Sequence, residues 1–448
     1  MRTQEVALAG LPSELLARWA GAPHRFLLDG GDSRSWGDGT ALFSARPVAT
    51  LSIFGDGRAR ISTESGSEAT AGEPFALLDE FRRRFTSDHG DDFGGLVAVA
   101  LSFDLSRLLE KLRVRRRPGA DELVLFAAAY DWVAIWSYLD RSCRLASRGD
   151  AGEVRAAIEK WPPRAVTPAH RPGSRPLTPD ASRERHLDGV RRALEHIAAG
   201  DIYQVNLAQR FSSPGAPPAA TAFVDLLQSH PMPFAGYFDL GQTELVSNSP
   251  ECFLDVRGRR VATLPIKGTR PRGLDAAGDR ALVAALREDP KERAEHVMIV
   301  DLERNDLGRV CAVGSVRVDE LMRVESFGSL HHLVSRVSGE LEEGRTIGDL
   351  LRATFPGGSV TGAPKLRAIE IIDDLEPCVR GFYTGAIGYV CGERAVFNLA
   401  IRTAVCRAGR MTYHAGGGIV ADSDPDREYE ETLLKAQPVL SLLAASAA

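Results

Sequence analysis

The sequence predicts an α+β protein built as layered sheets with helices outside them. Three patterns carry that expectation. Leu187, Val190, Leu194 and Ile197 recur at steps of three, four and three, which is one face of a helix. Runs such as Leu96–Leu101 and Tyr203–Phe211 read as strands. Two further strand-like runs, 243–253 and 260–268, meet across a turn at Arg257-Gly258.

Taken in order, the N-terminal part mixes strand and helix. Leu96–Leu101 and Glu122–Phe126 are its clearest strands, joined by segments rich in Gly and Asp. The basic run Arg113–Arg117 is expected to be a solvated loop. Pro162–Pro179 carries six prolines in eighteen residues, a density that breaks helices and strands and reads as an extended linker. The expected division is therefore residues 1–161, a linker at 162–179, and a region at 180–445. After the linker comes the helix containing Leu187, with Gly200 as its C-terminal cap. Helices are expected at 291–305, from the region of Pro364, where proline suits the first helical position, and at 426–442. Pro438 is expected to end the last of these after Gln437. No internal repeat occurs at a solenoid period.

The chain has 448 residues, 44% of them hydrophobic, enough for a large core. Its formal net charge of −5 disfavours a nucleic-acid partner. No apolar run reaches the roughly 18 residues of a membrane span, and Met1–Glu5 does not begin like a secretory leader. Six scattered cysteines, without a C-x-x-C pair, suit free thiols in a cytoplasmic protein.

Several residues stand out chemically. Glu292 and Glu295 share a helix face, as do Glu428 and Glu431, with Lys435 one turn further on. Two such pairs facing each other would bind a hard cation of the Mg²⁺ kind, or are ordinary solvated surface. Phe355–Lys365 (FPGGSVTGAPK) feeds a helix N-terminus and would favour an anion, but it lacks the Gly-Lys-Ser/Thr of a nucleotide loop. His414–Val420 (HAGGGIV) allows close approach of backbone to a ligand, or is a tight turn. Lys267 ends an apolar strand and is either a desolvated nucleophile or a snorkelling side chain. Glu251 is either a general acid or a turn residue. Arg402, inside an apolar run, needs an anionic partner, whether a ligand or a protein carboxylate.

Ten segments in one order make these residues specific. They are DIYQVNLAQRF, SNSPECFL, LPIKGTRPRG, EHVMIVDLERNDLGRV, SFGSLHHLVSRV, FPGGSVTGAPK, GFYTGAIGYV, NLAIRTAV, HAGGGIV and DPDREYEETLLKA. Together they resemble the chorismate-utilising enzymes, which include anthranilate synthase component I, aminodeoxychorismate synthase component I, and the isochorismate and salicylate synthases. The resemblance implies an α-β-β-α sandwich of antiparallel sheets. It implies Mg²⁺ on Glu295 and Glu431, supported by Glu292 and Glu428. It implies that Tyr389, Arg402 and the backbone of Gly416 and Gly418 hold the enolpyruvyl carboxylate, with Lys435, His332 and the Ser359–Thr361 loop lining the ring. An Arg, a Lys, a cation and backbone N–H groups would complement a dianion.

Two positions sort the branches. Gln204 stands where the isochorismate and salicylate branch carries a water-activating lysine. Lys267 stands where anthranilate synthases usually carry a small residue, and PIKGT resembles the aminodeoxychorismate branch. That branch implies Lys267 as nucleophile and Glu251 as general acid. No cysteine sits in the elbow of a glutaminase, so ammonia is expected from a separate glutaminase subunit. Relatives of this kind also hold tryptophan in the N-terminal part.

Overall fold

A computed structural model describes residues 4–6, 12–31, 36, 39–87, 93–150, 152, 154, 156, 177–215, 217–327 and 330–444. Its described strands form two large antiparallel sheets. The first runs, in spatial order, Gln4–Val6, Ser142–Ser147, Trp132–Ser137, Thr40–Ser44, Phe26–Asp29, Phe234–Asp239, Thr243–Ser249, Thr403–Arg407, Arg410–Ile419, Gln204–Ser213 and Thr178–Pro179. The second runs Ile266–Pro271, Leu330–Glu340, Arg260–Leu264, Cys252–Arg257, Arg394–Leu399, Ala386–Cys391, Leu96–Leu101, Leu123–Tyr130, Ala49–Phe54, Ala59–Thr63 and Gly66–Thr70. Each sheet joins a block of strands from before the proline-rich stretch to a block from after it, at Phe26–Asp29 with Phe234–Asp239 and at Leu96–Leu101 with Ala386–Cys391.

Three apolar layers hold these sheets. Phe26, Leu28 and Phe238 of the first sheet meet Ala98, Ala100, Ile387 and Val396 of the second, forming the core between them. On the outer face of the first sheet, Phe211, Tyr237 and Tyr413 pack against Phe223, Leu226, Ala436 and Val439 of two helices. On the outer face of the second, Val97, Leu254 and Phe397 pack with Phe81, Val300 and Leu351. The result is the expected α-β-β-α layering. No described helix is long and apolar enough to cross a membrane, and all six cysteines are free thiols.

The helix at Arg183–Ala198 forms as read, and Gly200 follows it at φ +79°. Pro290–Gly308 and Pro425–Ala444 are the two expected acidic helices. The basic run docks on the helix Lys365–Leu375: the Arg115 and Arg116 amides meet Asp373, and Arg115 pairs with Asp374.

Four boundaries differ from the sequence reading. The run from Thr243 is two strands, because Pro250 has no N–H and the chain crosses there from the first sheet to the second. Pro265 also divides the run from Arg260, but the strands on either side both pair with Leu330–Glu340 in the second sheet. Pro364 is the N-cap of the helix Lys365–Leu375 and not its first residue. The last helix continues through Pro438, since Ala436 and Val439 on either side are buried in the outer core. Of the expected linker, 162–176 lies outside the described residues, while Thr178–Pro179 pairs with Ser212 and Phe211 as an edge strand.

Candidate active site

Pro250 leaves Glu251 at the point where the chain changes sheets. Its carboxyl is 4% exposed, and Oε1 accepts the Ser359 hydroxyl at 2.7 Å. Burial pushes this carboxyl up to about 7, against the opposing pull of Ser359 and Lys267. It therefore keeps its proton below neutral pH, as a general acid needs. Lys267 lies on the strand Ile266–Pro271, and its Nζ donates to the Ser359 carbonyl at 3.3 Å. One residue thus joins the amine and the acid: Ser359 holds Lys267 with its carbonyl and Glu251 with its hydroxyl.

The glycine strand closes this site from the other sheet. Asn206 pairs with Gly418 and Ala208 with Gly416. A Cβ on Gly416 would lie 2.5 Å from the Leu207 carbonyl. One on Gly418 would lie 2.5 Å from Gln204 Nε2 and 3.6 Å from Lys267 Nζ. Glycine at these positions leaves room for the adjacent strand's Leu207 carbonyl and Gln204 side chain, and Lys267 of the other sheet reaches van der Waals distance of the same spot. Gln204 is fully buried, and neither of its amide atoms has a hydrogen-bond partner among the described residues.

Arg402 has the least ordinary environment. It holds φ +51° and its Nη1 contacts Met232 Sδ at 3.5 Å, but it forms no ion pair with a described carboxylate. Burial lowers its pKa, as expected for a cation without its anion. His332 is 1% exposed, its Nδ1 lies 3.0 Å from Thr269 Oγ1, and burial together with Arg402 pushes it down to about 4. The imidazole is therefore neutral beside a cation. This is an electropositive recess suited to a carboxylate.

The acidic side chains of the two helices come close enough for their charges to influence one another. A Cβ on Gly417 would lie 3.1 Å from Glu428 Oε2 and 3.3 Å from Glu431 Oε1. Burial raises the pKa of Glu295, and neighbouring Glu292 and Glu428 add to it; Lys267 and Lys291 oppose them. Burial likewise raises Glu428, against its 2.6 Å bond from Ser423, with Glu431 adding to the rise. For Glu431, burial is outweighed by Lys435, Lys267 and Lys291, and its pKa falls. The four carboxylates do not converge as a ligand sphere, since no three acidic, His or Cys groups are placed to hold a metal among the described residues. Basic side chains take their place: Lys291 pairs with Glu295 at 3.9 Å, Lys435 with Glu431 at 2.6 Å and Arg270 with Glu292 at 3.2 Å.

Other expectations are redistributed. Tyr389 is a correction: its hydroxyl donates to the Trp36 carbonyl at 2.9 Å in the core between the sheets, so its one proton is committed there. Thr361 donates to the Gly357 and Gly358 carbonyls at 3.0 and 3.2 Å and braces the loop. Lys435 reaches the Gly416 carbonyl at 2.8 Å as well as Glu431, and so clamps the glycine strand. Two groups escaped the sequence reading. Glu303 is 6% exposed and accepts the Thr263 hydroxyl at 2.8 Å; burial, with Glu251 nearby, pushes it up to about 8. Its helical spacing from His296, Ile299 and Val300 places it on the buried face of its helix. The other is Arg380.

Residues 24–441 match the chorismate binding enzyme family. The chain belongs to that family. Among relatives of this chorismate-utilising enzyme, anthranilate synthase component 1 of Thermus thermophilus is 42% identical over 391 residues, covering 85% of this chain and 84% of the relative. Aminodeoxychorismate synthase component 1 of Escherichia coli is 38% identical over 412 residues, covering 89% and 88%. The crystal structure of anthranilate synthase component I from Streptococcus pneumoniae superposes with a TM-score of 0.76 at 27% identity, covering 90% of this chain and 92% of that one.

Proposed function

We propose that the chain aminates chorismate at ring carbon 4, giving 4-amino-4-deoxychorismate on the way to 4-aminobenzoate and folate. The observation that carries this reading is Ser359 holding the Lys267 amine and the protonated Glu251 carboxyl together. An anthranilate-forming site has no use for a nucleophilic amine there.

In the proposed sequence the Lys267 nitrogen bonds to ring carbon 2, the double bond between carbons 1 and 2 moves to carbons 1 and 6, and the one between carbons 5 and 6 moves to carbons 4 and 5. The carbon 4–oxygen bond breaks and Glu251 supplies the proton with which the hydroxyl leaves as water. Ammonia then bonds to carbon 4, both double bonds shift back, and the carbon 2–nitrogen bond breaks to release Lys267. The proton lost by the incoming ammonia returns to Glu251. One hard displacement becomes two easier ones. Arg402 and the backbone beside Gly416 and Gly418 would hold the enolpyruvyl carboxylate, and neutral His332 would line the ring. Mg²⁺ suits the hard oxygens of Glu295 and Glu431, with Glu292 and Glu428 behind them, once Lys291 and Lys435 move aside. When bound, it would supply the positive charge that offsets the ring carboxylate.

Ammonia would come from a separate glutaminase subunit, a reading supported by relatives each named component 1. The test is chromatographic identification of the product from chorismate, Mg²⁺ and ammonium. Aminodeoxychorismate, converted to 4-aminobenzoate by an added lyase, is expected. Anthranilate as the main product would overturn the branch, and isochorismate formed from water alone would overturn the reading of Gln204.

A further inference from the structure

Arg380 is 2% exposed, on the chain between the helix Lys365–Leu375 and the strand Ala386–Cys391. Every N–H of its guanidinium is used. Nε donates to the Glu376 carboxylate at 3.0 Å. Nη1 donates to the Val360 carbonyl at 3.0 Å and to Thr384 Oγ1 at 3.1 Å. Nη2 donates to the Asn206 carbonyl at 2.7 Å and to Glu376 Oε1 at 2.5 Å. The Phe103 and Tyr383 rings lie 4.7 and 5.5 Å from its central carbon. Glu376 Oε1 also accepts the Ala208 amide at 2.9 Å.

The contacts to Val360, Asn206 and Thr384 land on segments the active site depends on. Val360 separates Ser359 from Thr361. Asn206 and Ala208 are the partners of Gly418 and Gly416 in the sheet. The Thr384 amide bonds to the Ala400 carbonyl at 3.0 Å, two residues before Arg402. Thr384 and Arg402 hold φ +59° and +51°, a conformation that side-chain-bearing residues keep only where the surroundings over-determine it. A planar fork can reach four acceptors on three chain segments at once, whereas an ammonium group cannot.

We propose that Arg380 is a positioning residue for chorismate: it fixes the 358–361 turn, the strand beside the glycines and the Thr384–Arg402 segment in one mutual arrangement. The inference rests on reading this cleft as the chorismate site. Its test pairs calorimetry of chorismate binding in the presence of Mg²⁺ with steady-state kinetics, using wild type, Arg380→Lys and Thr384→Val. Circular dichroism and melting curves establish the folded fraction.

A displaced carboxylate-holding backbone should raise the Kd and KM for chorismate about tenfold or more in Arg380→Lys, with a smaller fall in kcat. Thr384→Val loses one of the five bonds and should raise Kd about threefold. A purely structural role would lower the melting temperature and leave Kd unchanged in the folded fraction. Folded variants with Kd and KM within about twofold of wild type would therefore overturn the proposal. If Arg380→Lys does not fold, Thr384→Val decides alone. Wild type that neither binds nor consumes chorismate would overturn the site reading, and with it this inference.

Discussion

Glu251→Gln separates the acid's role in catalysis from its cost in stability. The carboxyl lies at about 7 against an ordinary 4.5, because burial penalises its charged form. A rise of about 2.5 units corresponds to roughly 3 kcal/mol between the two protonation states. The sign follows from proton counting. Between about pH 4.5 and 7 the unfolded chain has released this proton and the folded one has kept it. Folded-state stability therefore falls as pH rises through that window, and the loss is complete above about 7. Glutamine keeps the shape and cannot ionise, so the variant should escape this loss. At pH 8 it should be more stable than wild type by up to roughly 3 kcal/mol, and at pH 4.5 the two should nearly coincide. Its turnover should fall by about 10² to 10⁴, and the decline of wild-type kcat/KM above pH 7 should be absent from whatever rate remains. Urea denaturation at half-unit pH steps, read as the difference between variant and wild type, reports this group together with its coupling to Glu303. Parallel stability curves from pH 5 to 8 would refute the reasoning.

Four other outcomes are expected. Lys267→Ala should lower formation of the carbon 4 amination product by at least about 100-fold, followed by chromatography; an unchanged rate would remove its nucleophilic role. Arg402→Met relieves a buried cation that lacks its anion, so it should stabilise the fold by roughly 1–3 kcal/mol in thermal melts while weakening chorismate binding in calorimetry. A variant that is less stable and still binds would contradict the recess described for Arg402. Gly418→Ala forces a methyl against Gln204, and denaturation should show about 1–3 kcal/mol of lost stability. Glu431→Gln should raise the Mg²⁺ concentration needed for half-maximal turnover about tenfold or more, and identical metal titrations would argue against that ligand.

The legible parts of this sequence were those encoded over short distances. Helical periodicity set the helix ending before Gly200 and put Glu292 with Glu295, and Glu428 with Glu431, on shared faces. The continuous apolar strands around Leu96 and Leu123 were equally plain. Prolines 250 and 265 interrupted runs whose apolar pattern continued beyond them, and at Pro250 the pattern concealed a change of sheet. Contacts across the chain were not legible. Ser359 meets Glu251 over 108 residues and Lys267 over 92, and local spacing has no access to such pairings. Tyr383 and Tyr389 sit in one short motif, yet one lies beside Arg380 while the other reaches into the core between the sheets. Helix phase put the acidic residues on shared faces, but the basic side chains that pair with them became visible only in three dimensions.

The order of strands has a consequence for how such a molecule comes into being. Thr403–Ile419 lies between Thr243–Ser249 and Gln204–Ser213 in the first sheet, so those earlier strands lack their neighbours until nearly the whole polypeptide has left the ribosome. Long-range pairing of this kind is slow and leaves edges open to other chains meanwhile. Cutting the gene at the proline-rich stretch would part Phe26–Asp29 from Phe234–Asp239 and Leu96–Leu101 from Ala386–Cys391 and split the core between the sheets, so two insoluble fragments are expected. Coexpressing the fragments would be a direct assay of whether they can find each other.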